Sequence, residues 1–500
     1  MTTVSLNKQR EVDRSARPPL TKTVKTFYGM GALSGAAGAQ LLGLLLLFYN
    51  QLVGLPASWV SGALAISIFI DAIWDPIVGQ MSDSTRTRWG RRHPYIYGAV
   101  LPAAMCFALL FMPPVGWSAP ALFFYLLGMI IAMRMFSSLY DIPGVALAPE
   151  LTQDYEERTN LQSYRFIFTG AIGGLIAAVL GFGYFLRGTK ANPFGQFNEA
   201  GYGPYAITIA AIGLVAVVAS GVATHRFIPY LHKPVRQRLR IGALLRVMGT
   251  ALSNRNFMSL AGSLLLYGIA QGLAGGLNFY FETYVFELGS KALLILRLSI
   301  LPASLAGVFL APATARLFDK KRACIIAFLL CILSGVVPLG AWLLGLMPPH
   351  APWVLPVLIV DRLFVAALAT IGFIIIASMI ADVVEASQLK TGRRSEGLLY
   401  AAESLLRKVS TSFAALLPGL ILAIVAFPRH ARPGHVSVQI LTHLVWIFLP
   451  IHTIFVLVAV ATLMFYRLNR SQHEDNLRQL AGAAAIAAAA ETQIGSETLT

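Results

Sequence analysis

The chain is a succession of long apolar runs separated by short polar connections. Over 500 residues the runs fall at roughly 26–50, 57–82, 94–114, 119–147, 163–187, 204–228, 257–286, 290–315, 323–346, 352–381, 398–427 and 438–466. Each holds at least the ~20 residues that a helix needs to cross a bilayer. Backbone in lipid must satisfy its polar groups internally, so runs of this length are read as helices. The pattern predicts an all-α membrane protein of about twelve transmembrane helices. Composition agrees, with 56% hydrophobic residues, 12% charged residues and a mean hydropathy of +0.68.

A net charge of +16 would point a soluble chain towards nucleic acid, but the position of the charges removes that reading. The N-terminal tail, the C-terminal flank and every second loop hold roughly 28 of the 39 Lys and Arg, against about five in the opposite loops. The positive-inside rule therefore puts the basic loops and both termini in the cytoplasm; the expected location is the plasma (inner) membrane. The longest internal polar segment, 226–256, is basic and divides the runs into six plus six. The expected organisation is a tail (1–25), a six-helix bundle (26–228), a basic linker (229–256), a second bundle (257–467) and a low-complexity tail (468–500). Anionic lipid is the expected partner of the linker. Short uncharged connections such as 50–56 and 113–120 are expected only to turn the chain. Cys106, Cys324 and Cys331 lie in apolar runs without metal-ligand spacing, so neither a disulfide framework nor a metal centre is expected. The first apolar run is too long for a signal-peptide core, and its helix should stay in the protein.

Asp71 and Asp75 interrupt the second run. A spacing of four puts both carboxylates on one helical face, and a charge near mid-membrane costs at least ~2.5–3.5 kcal/mol on insertion scales. Two like charges in a low-dielectric site cannot both stay ionised cheaply; a bound cation, a proton or a lysine from another helix relieves the cost. Lys408 could be that lysine. Elsewhere, Arg134 and Asp141 are seven apart and share a face, while Glu403 and Arg407 sit at i, i+4. Tyr267, Gln271, Asn278, Tyr280, Tyr284 and Tyr400 are candidate cavity residues that helix packing would explain equally well.

Two six-helix halves with the same orientation suggest a transporter built from repeats, with its site near the midplane. The loop GQMSDSTRTRWGRRHP (79–94) resembles the signature after the second helix of the major facilitator superfamily. Its stretched spacing, preceded by DAIWDP (71–76), is similar to the glycoside-pentoside-hexuronide:cation symporter family, whose best-known member is the melibiose permease. YDIPGVALAPEL (140–151), SYRFIF (163–168), IADVVEASQLKTGRRSEG (380–397) and LLRKVSTSFAALLPG (405–419) extend the likeness, and ARLFDKKR (315–322) weakly echoes the first signature.

The resemblance implies the major facilitator fold and cation-coupled symport of a sugar or glycoside. It puts the cation site on Asp71, Asp75 and Ser138, substrate contacts on Asp141 and Arg165, and coupling on Lys408. The cluster Asp83, Arg86, Arg88, Arg91 and Arg92 reads as a cytoplasmic gate held by arginine forks. Where the melibiose permease has a Lys-Asp pair in the first helix, this chain has Gly35 and Ala36; Val145 replaces an aromatic residue and Trp74 an amide. A galactoside of the melibiose type is therefore not expected. A proton is expected before sodium as the coupling ion, because Trp74 removes a candidate oxygen ligand.

No enzyme motif, cofactor site or resident metal is expected; the only metal would be a transported sodium ion. The expected partners are a small-molecule substrate and membrane lipids, with no nucleic acid, and the protein is expected to be a monomer. An alternative cargo is a lysophospholipid or another amphipathic ligand. A membrane enzyme or a transporter-like sensor is a remote alternative.

Overall fold

The computed structural model describes residues 18–152, 154–190, 192–231, 254–391 and 396–468, with residues 472, 475, 478 and 479. Most of the expected N-terminal tail, linker 229–256 and tail 468–500 lies outside the described residues.

Eleven helices among the described residues are long and apolar enough to cross a membrane, and they coincide with the second to twelfth apolar runs. The first run is divided into α1 (Lys22–Met30), α2 (Leu33–Leu47) and a π-helical turn at Phe48–Leu52. Its break follows Gly31, where a Cβ would sit 2.7 Å from Ser220 Oγ. Next come α3 (Ala57–Ser84), α4 (His93–Leu110), α5 (Ala119–Ala146) and the short α6 (Ala148–Leu151). The fifth run alternates α7 (Tyr155–Phe166) and α8 (Gly173–Ala178) with π-turns, and α9 (Glu199–His225) follows. Beyond the linker come α10 (Arg255–Tyr280), α11 (Ser290–Phe318), α12 (Lys320–Leu343), α13 (Val354–Thr391), α14 (Glu396–Ile424) and α15 (Val438–Met464).

The chain forms two compact units. The first comprises Met1–Leu239, Ala274–Leu301 and Ala415–Leu444; the second comprises Arg240–Leu273, Pro302–Ala414 and Val445–Thr500. Part of the first unit's core joins Tyr28, Val100, Tyr140, Leu161 and Phe227. The second is centred on Phe257, Tyr267, Phe328, Met379 and Leu463, with Tyr267 stacked on Phe328 at 3.9 Å between ring centroids.

α3 shows how a membrane helix separates its faces. Phe69, Ile73 and Ile77 form an exposed apolar stripe, as lipid contact requires. Ser67, Asp71 and Asp75 form a second stripe, offset by two residues and therefore by about 200°. That polar stripe faces α5. In α10, Gly268, Gly272 and Gly276 form a stripe of small residues against α14. A Cβ would sit 2.6 Å from Ser410 Oγ at Gly268, and would run into Ala414 at Gly272 and Pro418 at Gly276. Such stripes let backbones approach where helix association depends on close packing.

The connection at 50–56 does more than turn the chain. Asn50 is buried, donates to Leu55 O at 2.8 Å and accepts from Tyr280 Oη at 2.9 Å. Gln51 accepts from Ala431 N at 2.9 Å and donates to Pro428 O at 3.1 Å. Nearby, Gly419 N donates to Ser61 Oγ at 3.0 Å, where a side chain on residue 419 would meet the Ala57 carbonyl. All these groups belong to the first unit.

Candidate functional site

α3 and α5 run parallel in register. Ser67 meets Arg134 and Asp71 meets Ser138, each pair separated by 67 residues. Ser138 Oγ lies 2.9 Å from Asp71 Oδ1 and 2.7 Å from Asp75 Oδ1. The expected cation-site residues are therefore brought together by two adjacent helices. A hydroxyl carries one proton and two lone pairs, so it can donate to only one carboxylate. For both contacts to be favourable, a second hydrogen or a cation must lie among the three groups.

Two further features shape this cluster. Pro76 directly follows Asp75 and supplies no N–H, so Ala72 O loses its usual intrahelical donor. Trp74 Nε1 donates to Met135 O at 3.1 Å, bracing α3 against the α5 backbone. Arg134 departs from the local pairing its spacing permits. It does not pair with Asp141; its Nε donates to Ser67 Oγ at 3.1 Å, and its guanidinium acts electrostatically on Asp71 and Asp75. Ser67 was not singled out from the sequence, although it lies one turn before Asp71 on the same stripe.

Asp141 instead pairs with Arg165, at 2.7 Å from Nη2 to Oδ1. Arg165 lies in the last turn of α7, just before a π-turn, with its guanidinium 5.5 Å from the Tyr28 ring centroid. Tyr28 Oη in turn donates to Gly144 O at 3.0 Å. Burial and the aromatic face thus hold the guanidinium towards the half-open carboxylate.

At the basic end of the same unit, Glu150 accepts from Arg91 Nη2 at 2.5 Å and Arg92 Nε at 2.6 Å. Asp83 adds longer contacts, 3.4 Å to Arg91 and 3.3 Å to Arg92. Arg86 and Arg88 are exposed and stand outside this network; Arg88 lies 5.5 Å from the Trp89 ring centroid. Glu150 is the centre that sequence reasoning missed, though it is the penultimate residue of the YDIPGVALAPEL segment.

In the second unit, Lys320 Nζ lies 2.8 and 2.7 Å from the two Asp382 carboxylate oxygens. Lys408 sits half-buried on α14, one residue after Arg407, which pairs with Glu403 at 3.6 Å. Gln271 donates to Tyr267 Oη at 3.0 Å, while Tyr280 and Tyr284 are buried in the first unit. The Tyr400 side chain lies outside the described residues.

A profile of MFS/sugar transport proteins matches residues 27–470. The chain belongs to the MFS/sugar transport protein family. An uncharacterized symporter of Synechocystis sp. is 27% identical over 542 aligned positions, covering 92% of this chain and 96% of that protein. A putative glycoside/cation symporter of Escherichia coli strain K12 is 26% identical over 473 positions, covering 92% of this chain and 95% of the relative. The fold also matches the crystal structure of a bacterial homologue of the human lysosomal transporter Spinster. That match has a TM-score of 0.63 and 12% identity, covering 90% of this chain and 98% of that one. Within this MFS/sugar transport protein, the acid–hydroxyl cluster occupies the second and fourth apolar runs.

Proposed function

We propose that the protein is a proton-coupled secondary transporter that moves a small glycoside-like solute by alternating access. The observation that carries this reading is the Asp71–Ser138–Asp75 cluster: one hydroxyl stands 2.9 and 2.7 Å from two carboxylates and can donate to only one of them. A proton on either carboxylate supplies a donor for the contact that the hydroxyl does not serve. Asp141 and Arg165 form the solute subsite, Lys408 couples solute and ion, and the arginine cluster around Glu150 and Asp83 is the cytoplasmic gate. The protein works as a monomer in the plasma (inner) membrane, with both termini cytoplasmic. The relatives' names, which include a symporter and a glycoside/cation symporter, support transport rather than catalysis.

Reconstitution into vesicles tests the reading. Uptake from a panel of glycosides should follow an imposed pH gradient and collapse with a protonophore. Sodium-driven uptake at zero pH gradient, lost in Asp75→Asn, would reverse the choice of ion. No glycoside accumulation under either gradient would reject the solute class.

A further inference from the structure

We infer that Arg134 is the resident counter-charge of the Asp71–Asp75 pair and that it closes this site to sodium. The inference rests on reading that pair as the ion site. Arg134 lies one turn before Ser138 on α5, as Ser67 lies one turn before Asp71 on α3. The 3.1 Å bond from Arg134 Nε to Ser67 Oγ fixes the guanidinium beside the acid stripe. The charged groups that act on it electrostatically are Asp71 and Asp75.

A guanidinium offers five donors and no acceptor, and it stays charged in proteins. It therefore cannot ligate a metal cation and repels one drawn to the same carboxylates. Hard cations require a shell of oxygen ligands. Arg134 engages the fully buried Ser67 Oγ, and Trp74 Nε1 engages the Met135 carbonyl. Two nearby oxygens are thus directed towards fixed donors. Asp71, Asp75 and Ser138 remain beside a permanent positive charge, an arrangement that disfavours a sodium cage.

The test uses the purified full chain, with thermal unfolding followed in sodium chloride and choline chloride at equal ionic strength and pH. The wild type should show no sodium-specific rise in Tm. Arg134→Gln should gain one, Arg134→Lys should remain insensitive, and Arg134→Gln combined with Asp75→Asn should lose the gained response. A sodium-specific rise in wild type, abolished by Asp75→Asn, overturns the inference even if no Arg134 variant folds. So does a folded Arg134→Gln or Arg134→Gly protein that remains silent to sodium. Failure of proton-driven glycoside uptake would reject the proposed transport activity, while these melting curves would still decide the role of Arg134.

Discussion

Arg165 holds Asp141 at 2.7 Å, yet the two partners are unequally exposed: the arginine side chain is 11% exposed and the aspartate 52%. The guanidinium is anchored, and the carboxylate retains an open edge. A solute hydroxyl can donate to that edge without breaking the ion pair.

Asp141→Asn should therefore weaken the solute contact while largely preserving the side-chain shape. A hydrogen bond to a charged group contributes about 1.5–3 kcal/mol, corresponding to roughly 10- to 100-fold in apparent affinity. Initial uptake rates across a solute concentration series would measure this. An unchanged KM would remove Asp141 from the proposed subsite.

Asp71→Asn and Asp75→Asn should each abolish gradient-driven accumulation while allowing the protein to insert and fold, because the amide retains the shape without the ionisable acid. Uptake in vesicles, alongside circular dichroism and monodispersity of the purified variants, separates coupling from folding. Accumulation above equilibrium in both variants would exclude the pair as the coupling site.

The two acids of the arginine cluster should differ in their effects on stability. Glu150 is buried between Arg91 and Arg92, so Glu150→Gln should destabilise by about 3–5 kcal/mol, the cost of leaving buried charge without its partner. Asp83 is 57% exposed, and Asp83→Asn should cost no more than about 1 kcal/mol. Denaturant midpoints of both variants would rank them; equal losses would show that Glu150 is not the main support.

Topology can be tested without a substrate. In a background lacking Cys106, Cys324 and Cys331, Val115→Cys should react with a membrane-impermeant thiol reagent added to intact cells, because Val115 is 97% exposed between α4 and α5. Ser84→Cys should react only after the membrane is opened. The reverse pattern would invert the proposed orientation.

Apolar run length made the membrane helices legible, because bilayer thickness imposes a length that hydropathy directly reports. The break after Gly31 was not legible: no proline marks it, and Ser220, which crowds Gly31 and donates to the Tyr28 carbonyl at 3.3 Å, comes from a distant segment. Periodicity also placed Asp71 and Asp75 on one face, but it could not supply the register between helices. That register brings Arg134 to Ser67 and the acid pair, even though Asp141 shares a face with Arg134 on its own helix. Glu150 remained hidden for the same reason, since its arginine partners are 58 and 59 residues away.

The bond from Trp74 to the Met135 carbonyl joins the two helices that carry the proposed ion-site side chains. If they travel as one rigid block, the site should have the same intrinsic affinity from either face of the membrane. Direction would then be set by the gradients, making the carrier a reversible machine. Loaded vesicles should release solute when the proton gradient is inverted, with half-saturation by protons on the inner face matching that on the outer. A large difference between those values would exclude the rigid-block reading.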